Sequence, residues 1–458
     1  MEGKLDEAEV FATTDDGVNF RNVGWIRAAM MFLKMTFATG VLSLPTALYQ
    51  TGAVPGAICI LFFGLLNTYM AVIQGQFKLA HPSVHTVVDS IYLVTLQMTG
   101  GSRRTAVILR EIGEVLYTTS WILCAGLAIM GMSIALNSIT HHGTCSVVFG
   151  FCSFLIVSAV ASIRKIERLG WVAWVGFGSL VVAILTVVIA TALRDRPASA
   201  PQTGEFEIGF SAFPAPTATF ASAFQAALMI FTSSSNTSGY VPVISEMRKP
   251  NDYFKSVYAC MAWIITSYMT IGLVMFRFAG KWLSTPALGS AGPTIKVVSY
   301  SIALPGLIAT AAICLHVAAK SLFVRFMRGS HHLTANTWQH WVIWIAITFC
   351  GGLAAWLCAE AIPFFGSLLS VIGCLGFGPL GLCLPPILWF CMNKEARTGN
   401  YKMRLLWWLH VVLLCIGLFV VFGGLYATVV VINGQFRSGN LGASFQCADN
   451  SNTIASSQ

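Results

Sequence analysis

The stretch Met35–Pro45, MTFATGVLSLP, lies inside an apolar run from about residue 24 to 51, long enough to cross a bilayer. It nevertheless holds a glycine, a proline and three hydroxyl residues, Thr36, Thr39 and Ser43. Pro45 has no N–H and its ring clashes with the carbonyl of Val41, so the helix is expected to open near Ala38–Leu42. Unsatisfied backbone groups are costly in hydrocarbon, so such a break is tolerated only against protein or a wet cavity. Beyond it a new half-helix presents free N–H groups and a partial positive charge, which attract a carboxylate.

The rest of the chain fits a membrane setting. Its 458 residues are 56% hydrophobic and 10% charged, with a mean hydropathy of +0.73; soluble domains carry roughly 25% charged residues. Eleven segments reach spanning length: 24–51, 54–77, 106–138, 146–163, 169–193, 217–247, 255–279, 301–326, 340–359, 362–392 and 403–433. With the N-terminus inside, nineteen Lys and Arg fall on cytoplasmic segments and flanks and five outside, while Lys34, Arg277 and Lys320 lie within spans. That asymmetry sets the N-terminus in the cytoplasm and the C-terminus outside. It also accounts for the net charge of +9, so no nucleic-acid groove is implied.

Residues 1–22 read as a cytoplasmic tail, 23–434 as one membrane domain and 435–458 as an exterior tail. The first twenty residues carry Asp6, Glu7, Glu9, Asp15 and Asp16, unlike a cleavable signal peptide, so the first span is expected to act as its own insertion signal. The connection 78–105 can form an interfacial helix, and the Pro-rich segment 194–217 reads as an exterior loop. Of thirteen cysteines only Cys145 and Cys447 fall in exterior segments, which leaves a disulfide between them open. The sequon at Asn236 lies at membrane depth and should stay unmodified.

The sixth span repeats the interruption. FTSSSNTSGYVP, Phe231–Pro242, crowds hydroxyl and amide side chains with a glycine and a proline. Ser, Thr and Asn compete for backbone hydrogen bonds, so a break is expected near Phe231–Ser235. The carbonyl end left there suits an ammonium group or a cation. Spans one and six are equivalent members of two five-span halves, which run in opposite senses because five is odd. Matched interruptions in inverted repeats point to a transport site at the bilayer midplane. With N–H groups on one side and carbonyls on the other, a zwitterionic amino acid fits between them.

TFATGVLSLP, FTSSSNTSGYVPVISEMRKP and STPALGSAG resemble the first and sixth spans and an exterior loop of the amino acid/auxin permease family, with the nearest likeness to fungal neutral amino acid permeases. The resemblance runs from about Asn22 to Asn433. It implies an all-α leucine-transporter-like fold of eleven transmembrane helices: five plus five inverted spans, the first and sixth broken, and one more at the C-terminus. Carried over by position, the backbone of Ala38, Thr39, Gly40, Val41 and Leu42 would hold the substrate carboxylate, and Phe231, Thr232 and Ser234 the amino group. The chain departs from the Gly-x-Gly of many members, having Ala38-Thr39-Gly40. Tyr117, Phe224, Phe231 and Cys314 are candidate pocket walls.

Ionisable residues within spans are functional candidates by default. Glu111 and Glu114 share one helical face, and Arg110 can pair with Glu114. Glu246 precedes Arg248 and Lys249 and can form an interfacial ion pair, and Lys34 can snorkel. In the fold implied by the resemblance a sodium site lies between spans one and eight, where the ammonium of Lys320 can replace the cation. Lys320 or Glu111 is therefore the expected proton-coupling group, with a fixed Lys320–Glu111 bridge as the alternative. HPSVH (His81, His85) has metal-ligand spacing but no second matching box, and there is no phosphate loop or nucleophile elbow. No enzyme activity, metal or cofactor is expected. The leading expectation is proton-coupled symport of neutral amino acids, with partners limited to substrate, protons and lipid, at the plasma membrane in preference to the vacuole. An amino acid sensor with little flux and a sodium-coupled transporter are the alternatives.

Overall fold

In lipid each backbone group must find its partner inside its own segment, so long apolar runs become helices. The structure is a computed structural model describing residues 23–37, 39–163, 166–215, 218–327, 337–438 and 444–451. The expected cytoplasmic tail lies outside the described residues, as does Ala38. Helices α1 (Trp25–Thr36) and α2 (Leu44–Thr51) are two halves of the first span, joined through a 3₁₀ turn at Gly40–Ser43. They are followed by α3 (Ala53–Ala80), α4 (Val87–Met98), α5 (Arg103–Thr140), α6 (Ser146–Ala161) and α7 (Ile166–Ala192). Next, α8 (Phe220–Ser233) and α9 (Val241–Glu246) flank a 3₁₀ turn at Asn236–Gly239. After them come α10 (Tyr253–Ala279), α11 (Pro293–Met327) and α12 (Trp338–Ala361). Helices α13 (Phe365–Val371) and α14 (Leu384–Met392) are joined by a widened π-helical run, Ile372–Cys383, which holds Pro379; α15 (Tyr401–Ser438) is last.

Nine helical stretches among the described residues are long and apolar enough to cross a membrane. The other two expected spans fall short of that length. The fourth is the 16-residue α6, and the sixth is divided by its break into α8, with 14 residues, and α9, with 6. The connection read as an interfacial helix contains α4, whose N-terminus is capped reciprocally by Thr86 and Asp89 and which packs on α5. The exterior segment is irregular where described, and its Ser211 and Ala212 carbonyls accept the first N–H groups of α3.

Helix α11 runs at the centre, packed along α5 and α7. At Gly306 it touches α7 backbone to backbone: a Cβ there would lie 2.8 Å from the carbonyl oxygen of Gly176. Helix α15 lies outermost and turns Leu405, Trp408, Phe419 and Phe422 outward, as a lipid-facing helix should. At the end of the bundle assigned to the exterior by the charge asymmetry, Cys145 and Cys447 form a disulfide. The segment it anchors is bonded on both sides. Ser146 Oγ donates to the Ala448 carbonyl at 2.5 Å, Asn137 Nδ2 to Asn450 Oδ1 at 2.6 Å, and Lys296 Nζ to the Ser451 carbonyl.

Candidate substrate site and inner vestibule

The two broken helices meet at mid-depth. Helix α1 stops at Thr36 and α8 at Ser233, so two carbonyl ends, each a partial negative pole, point into the same space. The Tyr268 hydroxyl of α10 reaches both, 3.0 Å from the Thr36 oxygen and 2.9 Å from the Ser233 oxygen, sharing one proton between them. Asn236 Nδ2 donates to the Met35 carbonyl, and the hydroxyls of Thr36 and Tyr240 are hydrogen-bonded at 2.6 Å. The breaks approach so closely that a Cβ on Gly40 would lie 2.7 Å from Ser233 Cα, which only glycine permits. Asn236 Oδ1, Thr237 Oγ1 and Ser238 Oγ are buried without a partner. Of these residues, Asn236 borders the small cavity at the junction.

A small cavity of about 20 Å³ sits at this junction, bordered by Thr39, Gly40 and Thr232 together with Cys124, Cys314 and Phe377. Of the residues singled out in the sequence, Val41 and Leu42 are buried in the 3₁₀ turn beside it. The Ser234 hydroxyl accepts from Asn67 Nδ2 at 2.8 Å. The Phe231 side chain packs instead on Phe63, 5.5 Å between centroids. Phe224 stacks on Phe220 and meets Phe419 of α15, so it is not a pocket wall. Tyr117 belongs to a second, larger cavity.

That cavity, about 430 Å³, runs from Met35, which also borders the small one, to the Lys/Arg-rich face. It is a vestibule open toward the cytoplasmic side assigned by the charge asymmetry. Its charged groups are matched differently from the sequence expectation. Arg110 pairs with Asp89 at 3.4 Å, not with Glu114, because α4 folds back against α5 and brings Asp89 to it. Lys320 pairs with Glu246 at 3.3 Å and Glu111 with Arg325, so the expected Lys320–Glu111 bridge is absent. The register of the antiparallel helices explains this: numbers fall along α11 as they rise along α5, setting Glu111 level with Arg325 and Glu114 level with Ser321. Glu246 is turned to α11 in place of the interfacial Arg248 and Lys249. In the loop before α4, burial and then the neighbouring Lys320 ammonium push the His85 imidazole down to about 4.

Lys34 does not snorkel. It is 1% exposed, and its ammonium donates to the Gly306 carbonyl of α11 at 3.0 Å. A Cβ on Gly176 of α7 would lie 3.4 Å from it. Among the described residues the ammonium set between the first and eighth spans is that of Lys34, while Lys320 reaches across to Glu246 of the sixth. Tyr268 is a functional candidate the sequence reading missed, and Lys34, named there among the ionisable residues within spans, was given a snorkelling role in place of its backbone tether. The only local signal was a polar-tipped aromatic in ITSYMT, Ile265–Thr270, and a lysine one turn before a break.

A multi-span helical bundle with two helices broken opposite one another is the architecture of a secondary transporter with a leucine-transporter-like fold. The chain belongs to the family of transmembrane amino acid transporter proteins, which it matches over residues 21–430. It is 39% identical over 98% of its length to a transmembrane transporter of Gibberella moniliformis, covering 93% of that protein. To the N amino acid transport system protein of Neurospora crassa it is 29% identical, over 94% of this chain and 89% of that one. In structure it is similar to Mhp1, a nucleobase–cation symport family transporter in a closed conformation with bromovinylhydantoin bound. That similarity has a TM-score of 0.53 at 12% identity and covers 94% of this chain and 96% of the other. The protein is thus a multi-pass, secondary-active amino acid transporter.

Proposed function

We propose that the protein imports neutral amino acids together with protons at the plasma membrane. It does so by alternating access, through two inverted five-span halves and one further C-terminal span. The observation that carries this reading is the meeting of two carbonyl ends and one N–H end in a small cavity bordered by no formally charged side chain. A zwitterion has an opposite charge for each pole, while a charged side chain would find no partner in the cavity. In the proposal the backbone from Ala38 through Thr39, Gly40, Val41 and Leu42 holds the carboxylate. The ammonium lies toward Phe231, Thr232 and Ser234, with Tyr117 on the path to the inside. The small cavity is narrower than an amino acid, so the site widens on loading, and Met35 stands where it joins the vestibule.

Protons in place of sodium are supported by Lys34, whose tethered ammonium sits between α1, α7 and α11. Lys320 and Glu111, each held in an ion pair at the inner mouth, are assigned to closing that mouth in place of carrying the proton. Purified protein in vesicles tests the whole reading. Labelled neutral amino acid should accumulate when a pH step is imposed and ignore a sodium step, with aliphatic and aromatic competitors displacing it and charged ones failing. Accumulation that follows sodium overturns the coupling, and binding without accumulation favours a sensor.

A further inference from the structure

We infer that Glu114 is the site that takes up and releases the coupled proton, an inference that rests on the proton-coupled reading above. Glu114 is 8% exposed and faces the vestibule from α5. Its Oε1 accepts two hydroxyls, from Ser321 of α11 at 2.5 Å and from Thr118 at 3.4 Å. Among the described residues Oε2 has no hydrogen-bond partner, and no cation pairs with the carboxyl. The other three carboxylates of the vestibule are matched: Asp89 on α4 by Arg110, Glu111 on α5 by Arg325, and Glu246 on α9 by Lys320. The remaining titratable neighbours are Tyr117 on α5, His85 in the loop before α4 and His316 on α11. The His316 Nδ1 bonds the Ala161 carbonyl at 3.1 Å, so that ring is held by backbone.

A carboxylate held by neutral hydroxyls gains or loses a proton without breaking an ion pair, whereas protonating any of its three neighbours breaks one and leaves its cation unpaired, half-buried at Arg110 and Lys320. Access decides between Glu114 and the other candidate, Lys34. Glu114 borders the cavity that leads to the cytoplasmic face; Lys34 does not, and its ammonium is bonded to backbone between packed helices. In the inward-facing state the carboxylic acid of Glu114 gives its proton to water in the vestibule. The O–H bond breaks, its electron pair stays on Oε2, and the carboxylate keeps its bonds to Ser321 and Thr118. Glu114 also lies on the same wall as Tyr117, between the ion-paired mouth and the helix breaks, where its charge state can be felt by a departing substrate.

The test uses full-length protein in vesicles, with two assays on each variant: accumulation driven by a pH step, and counterflow of labelled against unlabelled amino acid at equal pH. Glu114→Gln should keep counterflow within about threefold of wild type while its accumulation ratio falls at least tenfold, toward unity. Its counterflow should also lose dependence on pH. Glu114→Asp, which keeps the carboxyl, should restore accumulation with a displaced pH profile. Accumulation by Glu114→Gln at the wild-type ratio overturns the inference. Loss of counterflow in Glu114→Gln with full recovery in Glu114→Asp at an unchanged pH profile also overturns it, assigning a structural role. If wild-type protein itself ignores the pH step, it is the coupling reading that fails.

Discussion

The midplane junction and the inner vestibule lie end to end, yet they are built from opposite materials. At the junction the poles are backbone: the ends of α1 and α8, the turn at Gly40, and the Tyr268 hydroxyl that joins two carbonyls. In the vestibule the poles are side chains, three ion pairs and one carboxyl held by hydroxyls. Backbone poles are fixed in place and carry only partial charge, so they can read the constant part of an amino acid without a full desolvation penalty. Side-chain charges can part and rejoin as helices move. In the proposed reading, the contrast separates recognition at the centre from gating and coupling toward the Lys/Arg-rich face.

The strongest way to break that contrast is Gly40→Val. Its side chain would be driven into Ser233, an overpacking of roughly 2–3 kcal/mol, so uptake should fall about 100-fold while the amount at the cell surface changes far less. Normal uptake would move recognition away from the junction. Tyr268→Phe comes next. It leaves two buried carbonyls without their shared donor at roughly 1–3 kcal/mol, so the KM should rise about tenfold with a smaller change in kcat. A fall in kcat alone would place this hydroxyl in the conformational change instead.

The vestibule should respond more mildly. Lys320→Met and Glu246→Gln each break a half-buried pair worth about 1 kcal/mol, so transport should slow roughly fivefold. The exchanged double variant Glu246→Lys/Lys320→Glu should recover most of the loss, and a double variant no better than the singles would show that the pair does not act as a unit. His85 should matter least to the pH profile. Its imidazole stays neutral down to about 4, so His85→Gln should leave the midpoint of an uptake titration between about pH 5 and 7 in place. The same group bears on stability. Below about 6.5 the unfolded chain takes a proton the folded chain refuses, so His85 subtracts stability as pH falls toward about 4, and its replacement should flatten that acid limb in a melting series.

The breaks were readable because their causes are local: Pro45 after Gly40 and the polar run after Phe231 each act on the backbone that carries them. The structure opens both helices within the expected stretches. The amphipathic connection likewise gave α4 because its cap and its pattern lie in one segment. Partners across helices were not readable. Whether Glu111 meets Lys320 or Arg325 depends on the register of α5 against α11, and whether Lys34 reaches water or Gly306 depends on how α1 lies on α7 and α11. Neither quantity is written in one helix's spacing. Phe224 failed as a pocket wall for the same reason, since its face of α8 is covered by α15 from the far end of the chain.

The Cys145–Cys447 link has a mechanical meaning. The last described residues run from α12, where Phe445 meets Trp356, to Cys145 ahead of α6 and on to Lys296 of α11. The start of α6 is thereby joined covalently to the segment after α15, which α12 and α11 hold by a ring contact and a hydrogen bond. At the opposite end the corresponding connections are ion pairs such as Glu246–Lys320, which exchange with water in a way a disulfide does not. In the alternating access proposed above, a bundle clamped at one rim and latched at the other would rock about the clamp. The fastened rim would be the fulcrum, and the Lys/Arg-rich rim the one with the longest lever arm.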